Sequence, residues 1–227
     1  MKLLAFDTST ETMFIALTDG AKTWQHTSEG GAKTSAALIP TILALLEEAR
    51  LTLQQLDAVV FGRGPGSFTG LRTACSVVQG LAFGAGDIAV LPVDTLVAVA
   101  EEARFSHGAT QVQAVLDARM GEVYTASYDY KDGHWQAQAS IQLCRANEFH
   151  IQAGYRLAGN VTEFIELTQG LQALPTATAL LRLAPAMLAA GLGVAADQAL
   201  PLYIRDKVAQ TTAERAELKT QALKSTS

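Results

Sequence analysis

Two short blocks of the chain place a carboxylate beside hydroxyl or cationic side chains at the end of an apolar run. The first is Asp7-Thr8-Ser9-Thr10, after Leu3 to Phe6. The second is Asp117-Ala118-Arg119-Met120-Gly121-Glu122, after Gln111 to Leu116. An acid at a strand end can hold a magnesium ion through water, and turn amides and hydroxyls can face a phosphate. Two such turns facing each other across a cleft would embrace a triphosphate. Asp7, Thr8, Ser9, Asp117 and Arg119 are therefore candidate nucleotide-contacting residues. The competing reading is that both acids only cap strand ends and start turns.

A third block, Gly62-Arg63-Gly64-Pro65-Gly66-Ser67-Phe68-Thr69-Gly70-Leu71-Arg72, joins an apolar run to a helical pattern. Its glycines and proline demand backbone shapes that other residues resist. Ser67 or Thr69 is placed to cap the helix, and amides at a helix start can bind an anion. No Gly-Lys-Ser/Thr follows, so this is not a P-loop. A tight turn of purely structural duty is the alternative.

These blocks need elements to hold them. Leu3 to Phe6 reads as a central strand, and Thr12 to Thr18 and Lys22 to Thr27 read as a hairpin around Asp19-Gly20. Gly30-Gly31 breaks the meander. Ser35 to Arg50 repeats apolar residues at helical spacing, with Pro40 expected to bend or delay its first turn. Asp57 to Gly62 is a strand, Leu71 to Gly84 a helix, Ile88 to Pro92 a strand, and Asp94-Thr95 opens a third helix to about Arg104. A related order then restarts. Gln111 to Leu116 is a strand, Glu122 to Tyr130 and His134 to Leu143 form a hairpin around Asp132-Gly133, and Leu157 to Gly159 is a short strand. Val161 to Thr168 and Ala177 to Ala190 read as helices. The expected architecture is a duplicated two-lobe α/β protein, with residues 1–105 and 106–205 as lobes and 206–227 as a polar tail.

The helix from Leu71 to Gly84 has an unusual outer face. Leu71, Ala74, Cys75, Val78, Leu81 and Ala82 make one apolar stripe. The opposite side carries Thr73, Ser76, Val77, Gly80, Phe83 and Gly84, where a solvent face would hold Lys and Glu. The preceding helix adds Ala36, Pro40, Leu43 and Ala44 off its own stripe. Small uncharged residues let another helix approach closely, so these ten form a candidate partner interface. Cover by the other lobe or by the tail is the alternative.

Composition agrees with a covered surface. Apolar residues make up 49% of the 227, and charged residues 17%, against roughly 25% in an ordinary soluble domain. The net charge of −5 argues against a chain that grips nucleic acid unaided. Cys75 and Cys144 form no C-x-x-C pair, and His26, His107, His134 and His150 form no i, i+4 pair. No metal cage, nucleophile elbow or Cys-His signature is present. Asp7 comes too early for a signal peptide, and Arg182 and Pro185 interrupt the most apolar stretch, Thr176 to Ala196. The expected place is the cytoplasm, away from membranes.

The Asp7, glycine-rich and Asp117 blocks, with Val123-Tyr124 and a late Pro201-Leu202-Tyr203-Ile204-Arg205, resemble in order the bacterial TsaB family, also called YeaZ. The resemblance implies the sugar-kinase/actin/Hsp70-like (ASKHA) fold. It implies a role in forming N6-threonylcarbamoyladenosine at position 37 of tRNAs that read codons starting with A. Its implied partners are the paralogous transferase TsaD and the ATPase TsaE, with tRNA met only through the complex. The transferase carries a metal-binding His-x-x-x-His after its own glycine-rich helix. Thr95 and Val99 stand there in this chain, and neither replaces an imidazole ligand. The expectation is a non-catalytic subunit with no cofactor of its own beyond weak ATP or ADP binding. A stand-alone kinase or ATPase of this fold and a homodimeric binding module remain the alternatives.

Overall fold

The computed structural model describes residues 1–161 and 170–205. Five strands build the first sheet: β1 (Leu3–Asp7), β2 (Thr12–Thr18), β3 (Thr23–Glu29), β4 (Ala58–Gly64) and β5 (Ala89–Asp94), in the order β3-β2-β1-β4-β5. Antiparallel pairing joins β1 to β2 and β2 to β3, while β4 is parallel to β1 and to β5. The second sheet repeats the plan. Its strands β6 (Gln111–Arg119), β7 (Glu122–Lys131) and β8 (His134–Ala137) form the meander. Beside β6 run β10 (Arg156–Gly159) and β11 (Leu171–Gln172), both parallel to it in direction. The expected duplication is thus present, with one further strand paired to β7 in the second sheet.

The central strand β1 is buried along its whole length, and its side chains alternate between two cores. Leu4 and Phe6 meet Leu38 and Ile42 of α1 (Thr34–Ala49) and Val78 of α2 (Phe68–Gly84). Leu3 and Ala5 meet Ala98 of α3 (Thr95–His107) and Leu180 and Ala184 of α4 (Ala177–Ala189). A third core joins Leu96 and Val99 of α3 to Leu116, Tyr124 and Ala158 of the second sheet. Helix α3 is therefore shared by both sheets. Helix α4 comes from the second segment but packs on β1, β2 and β4 of the first. All strands keep to the 1–105 and 106–205 division, whereas α4 crosses it.

Two expectations are corrected, and one strand was not anticipated. Pro40 does not delay the start of α1: the helix begins at Thr34 and runs through it. Pro40 needs no amide hydrogen bond, and its side is exposed, so the cost falls where water satisfies the freed carbonyl. The strand expected over His134 to Leu143 is two strands, β8 and β9 (Gln142–Arg145), which both pair with β7. The polar residues between them leave the ladder. Strand β11 has only two residues, too few for a periodic signal. The helix expected over Val161 to Thr168 and the tail from Asp206 fall on residues 162–169 and 206–227, outside the described residues.

A buried ion network fastens α4 to α3. Glu101, almost fully buried, accepts from Arg104 Nε and Nη2 at 2.9 Å each, from Trp135 Nε1 at 3.1 Å and from Arg182 Nε at 3.0 Å. Arg182 also reaches Glu102 at 2.7 Å. Burial alone would raise the Glu101 carboxyl, but these donors outweigh it and hold it below the usual carboxylate range. Its stabilisation is present at neutral pH and is lost as pH falls through that lowered value. Glu101→Ala should cost about 3 kcal/mol in urea unfolding at pH 7, because it leaves Arg104 without its carboxylate and removes one of the two that hold Arg182. The penalty should shrink below about pH 4.

Candidate functional site

Between the two sheets lies a cleft of about 870 Å³. Four separate segments line it: 9–11 after β1, 66–69 at the start of α2, 116–120 at the end of β6, and 202–205 near the C-terminal end of the described chain. The three blocks singled out in the sequence thus converge, with the Pro-x-Tyr-x-Arg segment as the fourth wall.

The first block is packed more tightly than a ligand site requires. Asp7 is completely buried, and its Oδ1 accepts from the Ser9 amide at 2.9 Å and the Ser9 hydroxyl at 2.6 Å. Its Oδ2 has no hydrogen-bond partner among the described residues. Thr8 donates its hydroxyl to the Gly70 carbonyl at 2.8 Å, and the Ser67 amide donates to the Ser9 carbonyl at 2.7 Å. A Cβ at Gly62 would stand 1.7 Å from Asp7 Oδ2, and one at Gly70 would stand 1.9 Å from the Thr8 carbonyl oxygen. The glycine-rich block therefore lets this loop close over the Asp7–Ser9 turn. Ser67 caps α2, accepting from the Gly70 amide at 3.4 Å. Of the first-block candidates, Ser9 lines the cleft; Asp7 and Thr8 lie beneath its wall.

Asp117 and Arg119 both line the cleft and are exposed to it. The Asn160 side-chain carbonyl accepts from the Asp117 amide at 2.9 Å. Arg119 donates to Asp117 at 3.2 Å and, across the cleft, to Glu11 of the other sheet. Arg119 and Met120 have φ of 64° and 59°, left-handed values that a non-glycine side chain seldom adopts. The last segment ties both sides together. The Leu202 amide donates to the Arg63 carbonyl at 2.7 Å, Tyr203 stacks on Phe68 with centroids 5.4 Å apart, and Arg205 donates to the Ala118 carbonyl at 3.0 Å and to Glu122. Glu11 and Phe68 went unremarked in the sequence, because their roles come from residues far along the chain.

The second candidate site is the outer face of α1 and α2. Ala36, Pro40, Leu43, Ala44, Ser76, Gly80, Phe83 and Gly84 are exposed, and Thr73 and Val77 half-buried. Phe83 is 74% exposed and Leu43 50%. Ile39, one turn before Leu43, joins them at 43% and completes an apolar row that the sequence reading left out; its i, i+4 spacing was the available signal. No described residue of the other lobe covers this face. A Cβ at Gly80 or Gly84 would meet nothing within 4 Å. Thr95 and Val99, the pair weighed against two histidines in the sequence, are fully buried in α3. Among the described residues no group of three or more His, Cys, Asp or Glu is placed to hold a metal ion, and no helix is long and apolar enough to cross a membrane.

Comparison with known proteins adds the following. The family model described as TsaD: tRNA N6-adenosine threonylcarbamoyltransferase matches residues 24–225. The chain is 33% identical to the tRNA threonylcarbamoyladenosine biosynthesis protein TsaB of Escherichia coli (strain K12), over 92% of this chain and 96% of that protein. It is 37% identical to the protein of the same name from Haemophilus influenzae, over 92% and 95%. The solved structure of YeaZ from Pseudomonas aeruginosa superposes with a TM-score of 0.82 at 38% identity, covering 89% of this chain and 99% of that one. The fold is the ASKHA-like two-lobe arrangement.

The state of Asp7 is open to measurement. Burial pushes its carboxyl up from 3.8 to about 6, against the two hydrogen bonds from Ser9. A carboxyl that holds its proton more tightly when folded stabilises the protein fully only below its unfolded value, and this is lost as pH rises towards 6. The rise corresponds to roughly 3 kcal/mol. Asp7→Asn should therefore gain stability relative to the parent chain between about pH 4 and pH 6.5, and hold a constant difference above that. Thermal melts of both proteins across this range measure it.

Proposed function

The chain belongs to the TsaB family of tRNA threonylcarbamoyladenosine biosynthesis proteins, and we propose that it acts there as a non-catalytic subunit, binding and supporting the paralogous TsaD transferase. The observation that carries this reading is the outer face of α1 and α2, poor in charge, where Ile39 and Leu43 on α1 and Gly80 and Phe83 on α2 stand exposed. Such a row on a monomer marks an interaction site. The partner that suits it is a chain of the same fold, because paired helices of similar shape can pack as a bundle against it. The match of this chain to the transferase's family model supports that relationship.

The non-catalytic part of the reading rests on Thr95 and Val99. Both are turned into the core, so substituting histidine there would not by itself create an exposed metal pair. The cleft supports weak nucleotide binding at most. Asp7 and Thr8 are sealed beneath its wall, and Arg119 already holds two carboxylates. tRNA is met through the complex, since a net charge of −5 gives the lone chain little to offer phosphates. TsaE is the third expected partner, and the cytoplasm the expected place of work.

Gly80→Arg tests the face directly. The variant should melt no lower than the parent chain, since nothing crowds a side chain there and Gly costs about 1 kcal/mol in a helix interior. It should lose transferase binding in a pull-down, because a bulky charge would enter a closely packed seam. A well-folded Gly80→Arg that binds normally would place the interface elsewhere. The purified chain alone should show no ATP turnover and no threonylcarbamoyl transfer; steady turnover abolished by Asp117→Ala would reverse that part of the proposal.

A further inference from the structure

Phe68, Arg72, Ser76 and Gly80 follow one another at four-residue spacing along α2, and all four are exposed. Phe83 closes the same stripe. From Phe68 to Phe83 it runs about 22 Å at 1.5 Å per residue. The end remote from Phe83 carries a stacked group. The Arg72 guanidinium lies 4.8 Å from the centre of the Phe68 ring, and Tyr203 packs on that ring at 5.4 Å. Phe68 remains 42% exposed and Tyr203 49%. Among the described residues no carboxylate pairs with Arg72, and its guanidinium rests on that ring. Phe68 and Tyr203 also line the cleft between the sheets.

We infer that the partner face continues past Gly80 to the mouth of the cleft, and that Phe68, Arg72 and Tyr203 form its second anchor. The inference rests on the proposal that the α1–α2 face receives the transferase. A stable pairing buries about 800 Å² on each partner, a patch roughly 30 Å across. Gly80 and Phe83 occupy one end of α2, and the full stripe of about 22 Å covers most of that span. Arginine and tyrosine are the side chains that most often carry binding energy at an interface centre. Here they are already stacked on a phenylalanine, so little side-chain freedom remains to be lost on docking. The occupant that fits is a surface of the transferase with a carboxylate to meet Arg72 and an apolar group to meet the Phe68 and Tyr203 rings. Because those rings also wall the cleft, docking there would cover its mouth and bring cleft and partner into one continuous surface.

Three variants decide the matter, each measured against the chain's own transferase by calorimetry and checked by thermal melting: Arg72→Glu, Phe68→Ala with Tyr203→Ala, and Gly80→Arg. The expected result is normal folding of all three, complete loss of binding for Gly80→Arg, and a loss of about tenfold or more for each of the other two. If Gly80→Arg abolishes binding while both cleft-end variants bind like the parent, the second anchor is overturned and the α1–α2 face stands. If Gly80→Arg binds normally and Arg72→Glu does not, the cleft end is the true anchor and the Gly80 seam is wrong. If all three bind normally, both readings fall together. If the cleft-end variants change only self-association of this chain, measured by sedimentation, the occupant is a second copy and the inference is overturned.

Discussion

Between the Asp7–Ser9 turn and the loop from Gly62 to Gly70 there is no room for a side chain. The Thr8 carbonyl occupies the place of a Cβ at Gly70, and the Asp7 carboxylate that of a Cβ at Gly62. Three hydrogen bonds fix the contact: Ser9 to Asp7, Thr8 to Gly70, and Ser67 to Ser9. This junction sets where α2 begins and which way it points. The inner stripe of α2 then falls on β4 and the first core, and its outer stripe is left facing outward. One close backbone approach thus positions a cleft wall and an exposed helix face together. The junction also carries a penalty, since it buries a carboxylate with one oxygen unpaired among the described residues.

The second sheet repeats the strand plan of the first, yet the two ends of the cleft are not alike. On the first sheet the acid is sealed under a loop; on the second, Asp117 is exposed and shares Arg119 with Glu11. The lobes are linked by polar contacts at the cleft, through Glu11 with Arg119 and through the 202–205 segment, and by apolar and ionic contacts behind it, through α3 and α4. Exposed ion pairs of the first kind contribute little to stability. The shared helix α3 and the network around Glu101 are the stronger joint, because they are buried and involve several donors on one carboxylate.

A chain with 17% charged residues has to spread them thinly, and the outer face of α1 and α2 carries few of them. Exposed Glu47 and Arg72 lie there, and Arg72 is folded over an aromatic ring. The low charge read from composition and the exposed apolar row seen in the fold are one fact at two levels. If that surface is covered as proposed, it does not need charges to keep it in solution, and charges there would cost desolvation on binding.

Much of this was legible in the sequence, because local rules govern it. The strand runs, the helix stripes, the cap at Ser67 and the repeated β-meander all follow from periodicity and turn chemistry within a few residues. The outer face of α2 was legible for the same reason: two stripes on one helix can be read from spacing alone. What the tertiary structure decided was which polar groups remain available. The sequence marks Asp7 and Asp117 as equivalents, yet one is buried and one is open. That difference lies in the distance between Asp7 and Gly62, which are 55 positions apart in the chain. The pairing of Arg119 with Glu11, the stack of Tyr203 on Phe68 and the return of α4 to the first sheet have the same origin. Each joins residues that no local pattern connects, and packing of the whole chain alone brings them within contact range.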